Sequence, residues 1–133
     1  MSVIRFGISL EEELLHALDE YMADNQISNR SQAIRHLINN NFVKKKWLCN
    51  NIVAGSITIV YDHHKRDIQK NLNDIQHAHH HAILASQHFH LSHNKCLEII
   101  AVRGKAAELT ELSEKIIATK GVQHGKLTMS RAD

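Results

Sequence analysis

The first fifty positions of the chain contain two periodic patterns of apolar and polar residues. Residues 3–9 alternate between apolar and polar side chains, and this period of two predicts a half-buried strand. Two stretches with apolar residues at helical spacing follow. The first begins near Ser9 and Glu12, which have the spacing of a capping box, and the second begins after Asn29, a favoured capping residue. The N-terminal part therefore predicts the order strand, helix, helix.

A single strand and two helices cannot bury a core by themselves, because the strand has no partner and both of its edges are open. A two-fold dimer solves this problem, with two such strands paired antiparallel over four intertwined helices. A two-stranded ribbon of this kind enters the major groove of DNA, where its outward side chains reach base edges. The pattern thus favours an intertwined dimer that binds DNA.

The rest of the chain alternates between strand-like and helix-like patterns after a short junction at residues 47–51. The resulting order is β-α-β-β-α-β, the ferredoxin-like unit, which is also the order of small ligand-binding domains of the ACT type. The fold class is therefore α+β, with one domain at residues 1–48 and a second at residues 52–133. The predicted elements are strands at 52–61, 87–91, 96–102 and 122–129 and helices at 66–83 and 105–120, the second helix followed by Gly121 as its capping glycine.

Composition narrows the class of protein. A chain of 133 residues with 43% hydrophobic and 23% charged residues is long enough for one ordinary folded domain or two small ones. No apolar run is long enough for a membrane span and no leader is present, so we expect a cytoplasmic protein with no membrane partner, whose Cys49 and Cys96 are free thiols. The net charge of +2 is too small to indicate nucleic acid by itself, so the prediction of DNA binding depends on the pattern alone.

Residues 77–96 carry the strongest chemical signal, with seven of the 12 histidines and one of the two cysteines. His88 and His90 are two positions apart on a predicted strand, so both imidazoles point to the same face. Cys96 lies on the returning strand, and the turn decides whether its thiol joins them. A two-residue turn would direct the thiol to the opposite face, whereas an odd-length or bulged turn pairs residue 90 with residue 96. We predict the odd-length turn.

A fourth ligand is needed to complete such a site, and His77 is the best candidate by residue type, reaching in from another subunit. Glu98 shares the strand face of Cys96 and is predicted to orient a ligand. Three imidazoles and one thiolate suit either tetrahedral zinc or square-planar Ni(II) or Cu(II). His79, His80 and His81 are expected on a helix face that is solvated or binds metal weakly. His63, His64 and His124 are expected to be surface residues and not ligands.

The N-terminal segment resembles the ribbon-helix-helix family in its order of elements and in the Asn29-Arg30-Ser31 start of the second helix. The resemblance implies that Arg5, Gly7 and Ser9 face the bases, while the start of the second helix near Asn29 binds a phosphate. Gly7 is a departure, since members of the family usually carry a hydrogen-bonding side chain there.

The whole chain from Arg5 to about residue 127 resembles NikR, the nickel-responsive repressor family. The matching motifs are Gln76-His77, His88-Phe89-His90, the stretch from His93 to Ile99, Tyr61 with Lys65-Arg66-Asp67, and the ending from Gly121 to Gly125. Gln32 and His36 are departures, because the family commonly has carboxylates there that help to bind a structural cation.

The resemblance to NikR implies a homotetramer, a dimer of dimers, that represses nickel uptake genes by binding a palindromic operator in double-stranded DNA. It implies one Ni(II) per subunit, bound between subunits by His88, His90 and Cys96 of one chain and His77 of a neighbour. Lys65 and Arg66 would contact phosphates.

Two other functions fit the residues. One is a ribbon-helix-helix regulator that answers to copper or zinc, since Cu(II) binds such a site at least as tightly as Ni(II). The other is a His-rich metal buffer without a role at DNA. An enzyme is not expected, because the sequence has no nucleophile–base pair or phosphate loop, and four protein ligands leave no open position on a metal.

Overall fold

The computed structural model describes residues 2–133 in two compact units, one ending at Asn41 and the other comprising Phe42–Asp133. The division into domains at residues 1–48 and 52–133 stays a prediction. Within residues 2–133 no helix combines the length and the apolar character needed to cross a bilayer.

The first unit contains α1, Glu12–Asp24, and the beginning of α2, Arg30–Leu48. Residues 2–11 form no strand in the single chain, so the strand predicted at residues 3–9 is absent from it. Its apolar side chains are strongly exposed, with Ile4 85% and Phe6 74% exposed. A strand needs a partner for its backbone groups, and the partner predicted here is a second copy of the chain.

The two predicted helix caps have different outcomes. The capping box at Ser9 is wrong, because α1 begins at Glu12 with Glu11 in the capping position and no side-chain cap. The cap at Asn29 is confirmed, since its Oδ1 accepts a hydrogen bond of 2.9 Å from the backbone N–H of Gln32. A polar side chain therefore fixes where the second helix begins.

The second unit is a four-stranded antiparallel sheet covered on one face by two helices. Neighbouring strands lie in the order β2-β3-β1-β4, and the chain order β-α-β-β-α-β confirms the prediction. The elements are β1 (Ile52–Asp62), α3 (Ile68–Ala78), a 3-10 turn (His80–Ala82), β2 (Ile83–His90), β3 (Lys95–Lys105), α4 (Ala106–Ile117) and β4 (Val122–Arg131).

Burial along the central strands alternates as a half-covered sheet requires. Ile57, Ile59 and Tyr61 of β1 are fully buried, as is Ile100 of β3. They pack with apolar residues of the two covering helices in one core cluster, to which those helices contribute Ile68, Leu72, Ala106, Leu109, Leu112 and Ile116. Helices and sheet thus share a single core, on whose edge the histidine-rich hairpin lies.

Both helices of this unit are shorter than predicted. α3 ends at Ala78 because the histidine run that follows has low helix propensity, and β2 already begins at Ile83, which pairs with Val102. α4 ends at Ile117 with Ala118 as its capping residue, so Gly121 lies beyond the helix end instead of directly after it. Gly121 does have the left-handed conformation expected of it, with φ of 102°.

The junction predicted at residues 47–51 begins later than expected. α2 continues to Leu48, and Trp47 is buried in the core of the second unit. Its indole Nε1–H donates to the backbone oxygen of Ser130 at 2.9 Å. The end of α2 is therefore part of the second unit and is held against β4.

The turn after α2 caps a helix that is distant in sequence. Asn50 Oδ1 accepts from the backbone N–H of Ala107 at 2.8 Å, and the backbone oxygen of Asn51 accepts from Ala106 at 3.1 Å. Two of the N–H groups left open at the start of α4 are satisfied in this way. Asn50 has φ of 54°, a left-handed conformation that asparagine tolerates better than most residues.

Replacing Asn50 by alanine is expected to lower the free energy of unfolding by roughly 1–3 kcal/mol, since the cap is lost and alanine is strained at this φ. N50G removes the cap without the strain and should cost less, while N50D keeps an acceptor and should cost least. Urea denaturation of the three variants measures the order. Equal stability of N50A and N50D would show that the cap contributes nothing.

Candidate metal centre

The site is built on the hairpin formed by β2 and β3. His90 pairs with Cys96 and His88 pairs with Glu98, so the predicted register is confirmed. Residues 91–94 form the turn, and Leu91 donates its backbone N–H to the oxygen of Lys95, the first residue of β3, at 2.9 Å. Directly paired residues share a sheet face, and so do residues two apart. The two imidazoles, the thiol and the carboxylate therefore point to the face that the helices cover.

Cys96 is the buried centre of a cluster of potential ligands. Its Sγ lies 3.6 Å from His90 Nδ1 and 3.3 Å from His63 Nδ1. The ligand atoms of these three residues all lie within 4.8 Å of one another, and no other group of three such ligands is found within residues 2–133. Two imidazoles and one thiol are the donor types that nickel, copper and zinc take in proteins, so the residues fit a metal of this class.

His63 is predicted to be a surface residue and not a ligand, but in the structure it is half-buried and lies beside Cys96. Tyr61 of β1 pairs with Cys96 of β3. His63, two residues after Tyr61, therefore points to the same face of the sheet as Cys96. The backbone N–H of His63 donates to the oxygen of Asn94 at 3.0 Å, which extends the pairing of the two strands by one step. The signal that could have found His63 is this parity, but it requires the pairing of β1 with β3, which the sequence alone does not give.

Burial controls the protonation of the cluster. It raises the pKa of the Cys96 thiol, with the negative charges of Glu98 and Asp62 adding to the effect. It also lowers the pKa of His63, with neighbouring His64 and His90 contributing. At neutral pH the thiol is protonated and the His63 imidazole is neutral, so a metal bound here has to displace the thiol proton.

His88 is held away from this cluster by a buried carboxylate. Its Nε2 lies 3.1 Å from Glu98 Oε1, and its Nδ1 lies 3.2 Å from the hydroxyl oxygen of Tyr61. Glu98 is 1% exposed and also accepts from Gln76 Nε2 at 2.8 Å and from the Tyr61 hydroxyl at 3.3 Å. Burial, followed by the charge of Glu98, raises the pKa of Tyr61, which keeps this hydroxyl available as a donor.

His77 is exposed in the last turn of α3 and lies outside the cluster. Its ring centroid is 6.0 Å from that of His80. Gln76, the residue before it, is the one bonded to Glu98, so the end of α3 is tied to the strand that carries Cys96. Binding through His77 in the predicted manner involves a second chain.

The histidines after His77 have local partners. His79 Nδ1 lies 3.0 Å from the backbone oxygen of Ile75, and His81 contacts the carboxylate of Glu108. These contacts belong to the ends of α3 and α4 and lie apart from the cluster around Cys96.

The residues predicted to contact DNA are exposed. Arg5, Gly7 and Ser9 lie in the unpaired N-terminal segment, and Asn29 caps α2. Lys65 and Arg66 lie in the turn between β1 and α3, where they border a surface depression together with Lys120. Their role at DNA stays a prediction.

Comparison with known proteins agrees with both halves of the chain. Residues 54–130 match the NikR C-terminal nickel-binding domain, and residues 4–42 match the ribbon-helix-helix proteins of the copG family. A protein of Syntrophus aciditrophicus, named "Putative nickel-responsive regulator", is 46% identical over 96% of this chain and 93% of its own length. A protein of the same name from Nitratidesulfovibrio vulgaris is also 46% identical, over 96% of this chain and 92% of its own length.

The fold has a counterpart among solved structures. An uncharacterized protein from Thermotoga maritima matches with a TM-score of 0.54 at 18% identity, covering 59% of this chain and 98% of that one. At this identity the match supports the fold alone.

Both matching families are transcription regulators and not enzymes, which agrees with the residues found at the site. The match to the nickel-binding domain indicates nickel as the metal of this domain, and the structure shows a histidine and cysteine cluster that could hold a metal ion. The chain therefore belongs to the NikR family, nickel-responsive transcription regulators with a ribbon-helix-helix DNA-binding domain and a C-terminal nickel-binding domain.

Proposed function

We propose that this regulator represses nickel uptake genes by binding a palindromic operator when Ni(II) is held between its subunits. The ligands are His88, His90 and Cys96 of one chain and His77 of a neighbouring chain. The observation that carries the proposal is the register of the hairpin, in which His90 pairs with Cys96. This register brings two ligands of different strands onto one face and leaves His88 on the same face two residues away.

Three side chains change partners when the proposed site closes. Cys96 loses its thiol proton, and His88 leaves the carboxylate of Glu98 to turn toward His90. Glu98 stays in place because Gln76 and Tyr61 hold it, and it can then accept the remaining N–H of a coordinated imidazole. The Glu98 carboxylate thus holds His88 before the proposed site closes and orients a ligand afterwards.

Ligands from two chains make binding depend on assembly. The bound ion supplies a cross-link that exists only when α3 of one subunit meets the hairpin of the next. Conformations that present this interface are therefore favoured over the others. The proposed assembly is a homotetramer, a dimer of dimers, with one Ni(II) per subunit and two ribbon-helix-helix dimers.

Each ribbon dimer reads one half of the palindrome, and the two halves together give tight binding by avidity. Arg5, Gly7 and Ser9 face the bases, and Asn29 lies at a phosphate. Lys65 and Arg66 add phosphate contacts from the second unit. A regulator of this kind works where the DNA is, in the cytoplasm.

His77 is tested by replacement. H77A is expected to weaken Ni(II) binding by roughly a hundredfold or more, beyond the 10–100-fold that loss of an outer-shell group typically costs. Competition with a chelator, followed by the thiolate-to-nickel absorption band, measures the affinity. H124A is the matched control, because His124 is an exposed imidazole on β4 and should leave the affinity unchanged. Unchanged affinity in H77A would remove His77 from the site.

Mixing two inactive variants tests whether the ligands come from different chains. H77A chains retain His88, His90 and Cys96, while C96A chains retain His77. After unfolding and refolding together, mixed tetramers should regain tight sites, about one in four if chains assort at random. Refolding each variant alone is the control. If mixing restores no tight binding, His77 and Cys96 act within one chain or not at all.

Glu98 is expected to be a positioning residue. E98Q keeps the shape of the side chain and an oxygen acceptor but loses the charge, and it should lower Ni(II) affinity by about 10–100-fold. E111Q is the control, because Glu111 is an exposed carboxylate on α4. A thermal melt distinguishes a loss of fold from a loss of positioning. Wild-type affinity in a folded E98Q protein would contradict the role.

Arg5 separates a DNA-binding regulator from a metal buffer. R5A should abolish nickel-dependent binding to duplexes selected from a random-sequence library, while Ni(II) affinity stays at the wild-type value. R103A is the control, because Arg103 is an exposed arginine on β3. A wild-type protein that enriches the same duplexes with and without Ni(II) would contradict nickel-dependent DNA binding.

A further inference from the structure

One chain already contains a set of three metal ligands that differs from the proposed nickel set. His63, His90 and Cys96 have their ligand atoms within 4.8 Å of one another without any residue from a second chain. His88, which the nickel set requires, is held by Glu98 and Tyr61 instead. Both sets contain His90 and Cys96. His63 completes the set within one chain, whereas His88 and the neighbouring chain's His77 complete the proposed nickel set.

The distances between ligand atoms within this set are those expected for ligands of a single metal ion. With bonds of about 2.0 Å to nitrogen and about 2.3 Å to sulfur, as in zinc sites, two ligands of one ion lie about 3.0 Å apart at a right angle and about 3.7 Å apart at 120°. The sulfur of Cys96 lies 3.3 Å from His63 Nδ1 and 3.6 Å from His90 Nδ1. Both separations fall inside this interval. The ligand nitrogens of the two imidazoles lie within 4.8 Å of each other, and His90 is an exposed side chain on the edge strand.

The backbone explains why His63 is in place. Its N–H is bonded to Asn94 in the turn of the hairpin, and the side chain of Asp62 accepts the next N–H, that of His64, at 2.9 Å. The turn after β1 is thus hydrogen-bonded to the turn between β2 and β3. His63 is placed by two strand pairings of the same sheet, and no assembly is needed to bring it to Cys96.

The chemistry of two imidazoles and one thiolate points to copper. Soft thiolate ligands favour Cu(I), and trigonal sets of two histidines and one cysteine are known copper sites. Square-planar Ni(II) requires a fourth ligand, which this set does not include. A set of three from one chain is therefore better matched to Cu(I) than to Ni(II).

We propose that a single chain binds Cu(I) through His63, His90 and Cys96, and that copper thereby competes with nickel for the two shared ligands. Copper bound in this way leaves His88 on Glu98 and makes no use of the neighbouring chain's His77. The copper form lacks the cross-link between subunits and is not activated for DNA binding. This last, regulatory part rests on the proposed function, whereas the copper site itself does not.

The test measures the affinities of the full-length protein for the two metals. Cu(I) is supplied without oxygen in competition with a colorimetric Cu(I) chelator, and Ni(II) is titrated separately. H63A should weaken Cu(I) binding at least tenfold and change Ni(II) affinity by less than threefold. H77A and H88A should do the reverse. H64A is the matched control, because His64 is the adjacent imidazole, has its ring 4.2 Å from that of His63 and lies outside the set; it should change neither affinity.

Each outcome decides one of the two proposals. If H63A binds Cu(I) as the wild type does, or if H77A and H88A weaken Cu(I) as much as Ni(II), copper uses the nickel ligands and the separate copper site is overturned. If H77A and H88A leave Ni(II) affinity unchanged, the proposed nickel site fails while the copper site can still stand. H63Q is measured beside H63A, because glutamine keeps a polar side chain in the turn. A copper affinity lowered in both folded variants supports the role of His63 as a ligand.

The regulatory part has its own readout. One equivalent of Cu(I) added to the nickel-loaded wild type should abolish the thiolate-to-nickel absorption and release the selected duplex. In H63A the same addition should leave most of both signals. Retention of the duplex by copper-loaded wild type would overturn the claim that copper prevents activation.

Discussion

The pairing of His90 with Cys96 across one turn is the constraint on which the site depends. A hairpin one residue longer or shorter would turn the thiol to the opposite face of the sheet, because side chains alternate with a period of two. The turn of residues 91–94 fixes the register through the hydrogen bond between Leu91 and Lys95. The buried thiol, the imidazole of His90 beside it and the carboxylate beside His88 all follow from this register.

Glu98 connects this hairpin to the helix that precedes it. A carboxylate that is 1% exposed is stable only when its oxygens have donors, and here Gln76, Tyr61 and His88 supply them. Gln76 adjoins His77 at the end of α3, so a half-buried hydrogen bond joins the strand that carries Cys96 to the helix that carries His77. In the proposed nickel response, this bond is the route by which a change of partner at His88 would reach the end of the helix.

The sequence predicts the second unit well because its elements are local and periodic. The order of elements and the register at His90 follow from alternation and the parity of one turn. The sequence does not give the pairing of distant strands, and for this reason the place of His63 was missed. The strand predicted at residues 3–9 is absent from the single chain, because the backbone partners predicted for it belong to a second copy. α3 is shorter than predicted because it ends at Ala78 and Ile83 begins β2, where it pairs with Val102.

The most direct test of the account is a crystal structure of the nickel-loaded protein with the ion located by anomalous scattering. We expect four ligand atoms around each Ni(II), from His88, His90 and Cys96 of one chain and His77 of a neighbour, with His63 outside the coordination sphere. An ion bound by one chain alone, or one without the Cys96 sulfur, would contradict the account.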